Sequence, residues 1–379
     1  MNNERHDPFP SVSLIIVNYN GKSKLGVLLD KCLESILQTD YPNFEVLFVD
    51  NNSTDGSAEY VRGKFSNSRL KVISLEKNYG YAMGANIALK VAKGNVIGIL
   101  NNDMSFPERD WLKKIIDFIM SYSKVDVVVS PLLLYDEERV DSAGGATNIL
   151  MISWDMLSQR RLNRLSLSKP YHVFSPPGAA LFFHRRLLNK LGGKIFDEDY
   201  FAYYEDVDLG MRVNAMGGEV IILPYVRVIH KRSVSWGWAS PQKFYYLRRN
   251  SIVTGIKVFP LRALLVLLPT WLMSTFFASF IYYNTVKDPS FFLVPFKVFL
   301  YIIKNMKKLM AKRYVPRIPI TKMPFSTKMI LPSANLSLFM RIGIAFVNIV
   351  ASLAGLGHLR MTSIEEYPLF NLWKRRCEK

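Results

Sequence analysis

The sequence predicts an α/β domain, in which helices flank a mixed sheet, followed by a basic and apolar helical region. In residues 1–230 short apolar runs alternate with amphipathic stretches, which is the pattern of βαβ units. These residues hold 26 Lys/Arg and 27 Asp/Glu, a net charge of −1, whereas residues 231–379 hold 23 and 4, a net charge of +19. Because the basic excess lies beside the longest apolar runs, it favours contact with an anionic membrane surface over nucleic acid.

The spacing of apolar residues predicts the elements of the α/β domain in order. Continuous apolar runs bounded by polar turns predict strands buried on both faces, and apolar residues three or four apart predict helices. The predicted strands are Ser11–Asn18, Phe44–Asp50, Lys71–Leu75, Asn95–Leu100 and Asp126–Leu134, and the predicted helices are Lys22–Gln38, Tyr81–Ala92 and Trp111–Tyr122. Residues 140–175 show no regular pattern; Gly178–Phe183 then forms an apolar run, Glu205–Met216 a helix and Val220–Ile229 an extended segment.

The character of the chain changes after residue 250, so we expect one domain over residues 1–250 and a second region over 251–379. Ala263–Val286 has no charged residue over 24 positions, long enough to cross a hydrocarbon layer of roughly 30 Å. Phe291–Ile303 is shorter and is interrupted by a lysine, which favours an interfacial or re-entrant segment. Ile342–Leu359 is a second possible span. The alternative for all three is a buried helical subdomain.

The cysteines and the N-terminus indicate the compartment. Cys32 and Cys377 lie at opposite ends of the chain, which gives neither a disulfide framework nor metal-binding spacing. The first ten residues are polar, and the apolar run that follows is too short for a signal peptide. We therefore expect a reducing, cytoplasmic setting.

Polar residues follow four predicted strands at the point where each strand ends. In a parallel sheet the carboxyl ends of the strands lie at one edge, and ligands bind beyond that edge. Together these residues outline a site suited to a sugar nucleotide. The candidates for binding such a donor are Asn18, Asn20, Asp50, Asn52, Asn78, Gly80 and Asn102.

Two aspartates at this edge have roles that the pattern alone leaves open. Asp50 is placed to accept hydrogen bonds from a base or ribose, or else forms a turn with the asparagines that follow it. Asp103 is a candidate ligand for Mg²⁺ or Mn²⁺, or else caps the helix that begins near Pro107. Since the sequence has no glycine-rich phosphate loop, a metal ion is needed to offset the charge of a diphosphate.

Three acids lie among aromatic residues in the segment Phe201–Val213, with the sequence FAYYEDVDLGMRV. Acids in such surroundings are typical of a lined cleft, and Glu205, Asp206 or Asp208 could take a proton from an attacking hydroxyl. The alternative for Asp208 is a salt bridge to Arg212, four residues later in the same helix.

His230 ends the last extended segment of the domain, EVIILPYVRVIH. Its place at a strand end, following the acidic helix, makes it a candidate for contact with a metal or a phosphate group. A lone histidine can equally have a purely structural role.

Taken together, these residues resemble glycosyltransferase family 2, the inverting enzymes with the GT-A fold, and within it the rhamnosyltransferase-like subgroup. The matching segments cover residues 11–250, about two thirds of the chain, and occur in the family's order. They are SLIIVNYNG, EVLFVDNNSTDGS, EKNYGYAMGAN, GILNNDMSF, PPGAALFFHR, YFAYYEDVDLGMRV, VIHKRSVSWG and FYYLRRN. The resemblance implies a Rossmann-like mixed sheet flanked by helices.

The resemblance also implies a role for individual residues. Asp50 would contact the nucleoside and Asp206, next to Glu205, would be the catalytic base. Asp103 would be the metal ligand of a DXD-type motif that reads Asn101-Asn102-Asp103 here, so that its first acid is replaced. His230 would supply a second ligand. The acceptor side would include Gly178, Ala179 and Asp208.

The implied reaction is a single displacement that inverts the anomeric carbon and needs a divalent metal, Mg²⁺ or Mn²⁺. The donor would be a nucleotide diphosphate sugar, and the acceptor a saccharide or a polyprenyl-type lipid-linked hydroxyl, in cell-surface polysaccharide or glycan assembly. We expect this work at the cytoplasmic face of a membrane, with the protein integral by one or two spans or tightly peripheral. The alternatives are a degenerate sugar-nucleotide-binding or scaffold protein, a nucleotidyltransferase and a nucleic-acid binder.

Overall fold

The computed structural model describes residues 9–122, 124–162, 169–231 and 240–314, together with Pro316, Met323 and residues 349–350 and 352–354. The strands are β1 Val12–Asn18, β2 Phe44–Asp50, β3 Leu70–Ser74, β4 Val96–Asn101, β5 Met104–Ser105, β6 Val125–Val129, β7 Leu132–Leu133, β8 Val140–Ser142, β9 Gly145–Thr147, β10 Ser153–Asp155, β11 Tyr171–His172, β12 Ala180–His184, β13 Glu219–Ile222 and β14 Val228–His230. The α-helices are α1 Gly21–Leu25, α2 Val27–Leu37, α3 Ser57–Lys64, α4 Tyr81–Leu89, α5 Trp111–Ser121, α6 Arg186–Lys190, α7 Glu205–Ala215, α8 Pro241–Val258, α9 Leu261–Val286 and α10 Val294–Ala311.

An eight-stranded mixed sheet in the order β11-β13-β6-β12-β4-β1-β2-β3 forms the centre of the α/β domain. Its predicted parallel part is confirmed: β1 lies between β2 and β4 and is parallel to both. The register places Asn18 beside Asp50, and Val17 beside Asn101, so these strands end together. The apolar run after Gly178 becomes β12, which is antiparallel to both β4 and β6 and makes the sheet mixed.

The two faces of the sheet are covered by different helices because alternate residues of a strand point to opposite faces. Leu14 and Ile16 of β1 pack in one core cluster with residues of α2 and α5, such as Leu33. Ile15 and Val17 pack in the other cluster with residues of α4 and α7. Both faces are therefore apolar, which explains the continuous apolar runs in the sequence.

Three predicted elements are divided in the structure. The helix predicted over Lys22–Gln38 is interrupted at Gly26, whose φ of 54° and ψ of −122° are accessible to glycine and end α1 before α2 begins. Asp126–Leu134 forms β6 and β7, and Val220–Ile229 forms β13 and β14. The residues between 140 and 175, for which no element was predicted, contain the short strands β8 to β11.

A second sheet of four short strands, in the order β5-β14-β7-β8, stands at the carboxyl edge of the main sheet. In this sheet β14 pairs antiparallel with β5, so that His230 lies opposite Met104, and it pairs parallel with β7. β8 pairs with β7 from the other side. This sheet brings together segments of the chain that are far apart in sequence, and it carries part of the site described below.

The C-terminal region begins within a helix, because α8 continues across the boundary predicted after residue 250. The predicted apolar segment Ala263–Val286 lies in α9, the one helix of the described residues that is long and apolar enough to cross a membrane. Phe291–Ile303 is divided between a 3-10 helix, Pro289–Leu293, and α10. The second predicted span, Ile342–Leu359, lies outside the described residues except at 349–350 and 352–354.

Candidate active site

Three of the predicted donor-binding residues meet at the carboxyl edge of β1, β2 and β4. Asn18 Nδ2 donates to Asp50 Oδ1 (3.1 Å), and Asn102 Nδ2 donates to Asn18 Oδ1 (2.7 Å). Asp50 Oδ2 accepts from the backbone N–H of Ser53 (3.0 Å). The turn predicted for Asp50 is therefore present, and its carboxylate also lies at the carboxyl edge of the sheet, where a base or ribose is predicted to bind.

The other predicted donor-binding residues shape the loops around this edge. Asn20, in the left-handed region with a φ of 55°, accepts the backbone N–H of Thr54 at its Oδ1 (2.8 Å). Asn52, also left-handed, is exposed. Asn78 Oδ1 accepts the N–H of Gly80 (2.9 Å), and a Cβ at Gly80 would lie 2.2 Å from the carbonyl oxygen of Phe201. Close packing of two loops thus requires glycine at this position.

Asp103 and His230, the two predicted metal ligands, lie side by side because β14 pairs with β5. The backbone N–H of Lys231 donates to the carbonyl of Asp103 (3.1 Å). His230 Nε2 lies 3.4 Å from Asp103 Oδ1, and His230 Nδ1 lies 2.7 Å from Oδ2 of Asp141 in β8. Asp141 was not predicted as a site residue, because it lies in the stretch without a regular pattern.

The residues of this group fit a divalent cation. Asp103 Oδ1 is buried and has no hydrogen-bond partner among the described residues. Asp141 holds one nitrogen of His230 so that the other faces Asp103, an arrangement common behind metal-binding histidines. Burial lowers the pKa of His230, but the charges of Asp103 and Asp141 raise it to about 10, so the site attracts positive charge.

The protein supplies few ligands to such a cation. The described residues contain no group of three or more His, Cys, Asp or Glu side chains arranged to hold a metal ion. One carboxylate and one imidazole would leave the remaining positions to phosphate oxygens and water, which suits Mg²⁺ or Mn²⁺ bound together with a diphosphate.

The acid pair Glu205–Asp206 begins α7, directly after Tyr203 and Tyr204, which both have a positive φ (66° and 73°). Asp206 Oδ1 accepts the N–H of Val207 (2.8 Å). A Cβ added to Gly178 would lie 2.9 Å from Asp206 Oδ2, so glycine leaves room for this carboxylate.

The surroundings raise the pKa of both acids. Burial raises the pKa of Glu205, and the charge of Asp206 raises it further. Burial also raises the pKa of Asp206, while hydrogen bonding to the N–H of Val207 opposes the rise. Glu205 is buried and its Oε2 has no hydrogen-bond partner among the described residues, whereas Asp206 is partly exposed.

Tyr81 lies beside the acid pair, next to Gly178. Its hydroxyl donates to the carbonyl of Gly178 (3.3 Å). Burial raises the pKa of Tyr81, and the charges of Glu205, Asp206 and Asp103 raise it further. Gly178, beside Asp206, is followed by Ala179, whose carbonyl accepts the N–H of Asn101, two residues before Asp103. Asp103 and the acid pair therefore lie at the same edge of the sheet, and Tyr81, which was not predicted as a site residue, lies next to Gly178.

Asp208 does not belong to this group, and its predicted place on the acceptor side needs correction. It is fully buried, with Oδ2 2.8 Å from Arg212 Nε and Oδ1 2.5 Å from Lys257 Nζ. Residues two apart in a helix point to nearly opposite faces, so Asp208 faces α8 when Asp206 faces the open edge. The salt bridge to Arg212 is the interpretation that the structure supports. Ala179 is buried, and its carbonyl accepts the N–H of Asn101 (2.8 Å).

Asn250 in α8 holds the loop that precedes the acid pair. Its side-chain amide donates to the carbonyls of Ala202 (3.0 Å) and Tyr203 (2.6 Å), and its Oδ1 accepts from Arg249 Nε (2.8 Å). Arg249 Nη2 in turn donates to the carbonyl of Asp199 (2.8 Å). The first half of α8 thus holds the loop that precedes Glu205 and Asp206.

A family model described as Glycosyl transferase family 2 matches residues 13–192. The chain carries a family 2 glycosyltransferase domain. Over 248 residues it is 31% identical to the O-antigen biosynthesis protein RfbC of Myxococcus xanthus, a match of 63% of this chain and 19% of that protein. It is 29% identical over 234 residues to the N-acetylglucosaminyl-diphospho-decaprenol L-rhamnosyltransferase of Mycobacterium tuberculosis H37Rv, covering 56% of this chain and 74% of that enzyme. The chain thus spans about a fifth of the length of RfbC.

Solved structures share the fold of the family 2 domain. GalNAc-T7, crystallised with UDP, GalNAc and Mn²⁺, superimposes with a TM-score of 0.55 at 15% identity, over 85% of this chain and 60% of that one. S. aureus TarS 1-349 in complex with UDP-GlcNAc gives a TM-score of 0.50 at 18% identity, over 92% of this chain and 90% of that one. The predicted GT-A fold is confirmed.

Proposed function

We propose that this protein is an inverting glycosyltransferase that moves a sugar from a nucleotide diphosphate donor to a hydroxyl group of a saccharide or lipid-linked acceptor. One observation carries the proposal: the pair Asp103–His230 and the pair Glu205–Asp206 lie at the same carboxyl edge of a family 2 sheet. Gly178 lies beside Asp206, and the next residue, Ala179, bonds to Asn101, two residues before Asp103. The reaction needs these two groups on opposite sides of the anomeric carbon, one at the leaving diphosphate and one at the attacking hydroxyl.

At the donor end, Asp50 accepts hydrogen bonds from the nucleoside, held in place by Asn18 and the N–H of Ser53. Asp103 and His230 would hold Mg²⁺ or Mn²⁺, which when bound stabilises the negative charge that develops on the leaving diphosphate. Asp141 keeps the imidazole of His230 turned toward Asp103.

At the acceptor end, Asp206 takes the proton from the acceptor hydroxyl as its oxygen forms a bond to the anomeric carbon. The bond from that carbon to the diphosphate breaks at the same time, and the electron pair leaves with the nucleotide. Attack from the face opposite the nucleotide inverts the anomeric carbon. Asp206 suits this role because it is partly exposed and lies beside Gly178, whereas Glu205 is buried.

The acceptor belongs, in our proposal, to cell-surface polysaccharide or glycan assembly at the cytoplasmic face of a membrane. The similar Myxococcus protein is named for O-antigen biosynthesis, and the similar mycobacterial enzyme for a decaprenol-linked acceptor and an L-rhamnosyl group. The basic C-terminal region and the apolar helix α9 support a membrane location. A rhamnosyl donor is one candidate among the hexosyl donors to test.

The test is a panel of nucleotide sugars, with release of nucleoside diphosphate as the readout in the presence of Mn²⁺. Asp206→Asn should lower turnover by about 10²–10⁴-fold while donor binding persists. The matched control is Asp117→Asn, at an exposed acid on α5 that is far from the site in sequence and forms a salt bridge with Lys113; it should keep wild-type turnover. If Asp206→Asn stays active and Glu205→Gln is inactive, the base is wrongly assigned. Donor binding without turnover of any donor would favour a degenerate sugar-nucleotide-binding protein.

A further inference from the structure

One face of α9 is buried along most of its length. Its buried residues recur at about every fourth position, which forms a single stripe: Ala263, Leu264, Leu267, Trp271, Thr275 and Ser279. Trp271 Nε1 donates to the carbonyl of Ile149 (3.0 Å), in the loop between β9 and β10. A Cβ at Gly255 of α8 would lie 2.4 Å from the Trp271 ring. α9 therefore packs closely against the family 2 domain and α8.

A buried charge is bonded to the middle of α9. The guanidinium of Arg248 in α8 donates to the carbonyl of Trp271 (3.3 Å), to Thr275 Oγ1 (3.1 Å) and to Ser274 Oγ (2.5 Å). If α9 crossed a bilayer with this packing, Arg248 and the other charges of α8 would lie at the depth of the hydrocarbon. Charged groups and irregular backbone are costly there, so the packing favours an orientation in which α9 does not cross.

The opposite face of α9 continues into α10 as one exposed apolar surface, which we call the α9–α10 face. The rings of Phe276 and Phe296 meet edge to face, 5.3 Å apart, and join the two helices. Exposed apolar patches larger than a few hundred Å² mark interaction sites. The α9–α10 face consists of Leu265, Met273, Phe276, Phe277 and Phe280 of α9 and Phe296, Phe299, Leu300 and Ile303 of α10, with exposed fractions from 44% to 79%.

The charges beside this face identify the kind of partner. Lys297, Lys304 and Lys307 of α10 are exposed next to the apolar stripe, and neither α9 nor α10 contains an Asp or Glu. An apolar stripe flanked by lysines is typical of helices that lie in the headgroup layer of a membrane. The complementary partner presents negative charge over an apolar layer, as an anionic phospholipid bilayer does.

We propose that the α9–α10 face docks the protein in the plane of an anionic bilayer, so that α9 lies along the surface and does not cross it. This inference deepens the membrane part of the proposed function. The end of α10 is bonded to the loop before the acid pair, through Lys308 to Asp199 (2.5 Å) and through Lys312, directly after the helix, to Asp197 (2.5 Å). Docking of α10 would thus hold the acceptor end of the site next to the lipid surface.

Labelling of the two ends of α9 tests its orientation. Leu261→Cys and Val286→Cys, each at an exposed position, are made separately in the full chain with Cys377→Ser; the other cysteine, Cys32, is buried. A membrane-impermeant maleimide is then applied to inside-out and right-side-out membrane vesicles. We expect both ends to react from the cytoplasmic side alone. Reaction of the two ends from opposite sides would overturn the proposal.

Binding to vesicles tests the surface itself. The full chain should bind vesicles of phosphatidylglycerol and phosphatidylcholine, and bind weakly to vesicles of phosphatidylcholine alone. The double variant Phe277→Asp/Leu300→Asp should weaken binding at least tenfold, and Lys304→Ala should weaken it roughly fivefold. The control is Val27→Asp on α2, which is 67% exposed but far from the α9–α10 face in sequence, and it should bind like the wild type.

Release of nucleoside diphosphate, measured alongside, separates this inference from the proposed function. Vesicle binding that is lost in the double variant supports the inference even if no donor is turned over, an outcome that would count against the proposed function alone. Donor turnover with equal vesicle binding by the wild type and the double variant would overturn the inference and leave the proposed function standing.

Discussion

Replacement of Asn250 by alanine should disturb the acid pair from a distance, because Asn250 holds the loop that ends in Tyr203 and Tyr204. Asn250 is 1% exposed, and its side chain makes three hydrogen bonds, to the carbonyls of Ala202 and Tyr203 and to Arg249 Nε. Alanine removes all three bonds, so the two carbonyls and Arg249 Nε lose their partner at this position.

The expected loss of stability follows from those contacts. Each buried polar group that loses its partner costs about 1–3 kcal/mol. The positive φ angles of Tyr203 and Tyr204 cost about 1–3 kcal/mol each, and relaxation of the freed loop would recover part of this. We therefore expect the free energy of unfolding to fall by about 3–5 kcal/mol. Because the same loop sets the start of α7, kcat should also fall, by up to about 10²-fold for a shift of 1 Å in the base.

Urea unfolding measures the stability, and initial rates of nucleoside diphosphate release give kcat and KM for the donor. Asn250 acts through the base and not on the nucleotide, so kcat should fall much more than KM rises. Asn43→Ala, at an exposed asparagine with one hydrogen bond to the carbonyl of Phe9, serves as the control and should change both quantities little. A stable Asn250→Ala variant with wild-type kcat would refute this reasoning, as would a loss confined to KM.

Three further predictions concern the metal ligands and the base. EDTA should abolish transfer, with Mg²⁺ or Mn²⁺ restoring it, and full activity in chelator would reject the metal site. Asp141→Asn should raise the Mn²⁺ concentration for half-maximal activity by about 10–100-fold, since it frees the ring of His230; an unchanged Mn²⁺ titration would contradict this. Asp206 must be ionised to accept a proton, and burial raises its pKa to about 6, so kcat should fall as the pH drops through that range; a profile flat down to pH of about 4, the usual range of Asp, would exclude it as the base.

The parallel part of the sheet and the edge at which the candidate site lies could be predicted from the sequence alone. Strands buried on both faces must be apolar throughout, so β1, β2 and β4 appear as continuous apolar runs. Polar residues at the ends of such strands, Asn18 and Asp50 among them, then have to lie at one edge. These signals are local and repeat with a fixed period, which is why they can be read without knowing the contacts.

Which side chains meet could be seen only in the folded structure. Asp141 could not be found in advance, because its role depends on β8, β7 and β14 pairing in one small sheet, and short strands leave no periodic pattern. Asp208 and Asp206 look equivalent in the sequence, but the helix turns one toward α8 and the other toward the open edge. The composition of α9 fits a membrane span. However, Arg248 of α8 donates to the carbonyl of Trp271, and Trp271 Nε1 donates to the carbonyl of Ile149, so α9 is packed against the rest of the chain. Hydrophobicity is a property of the segment alone, whereas its orientation depends on what packs against it.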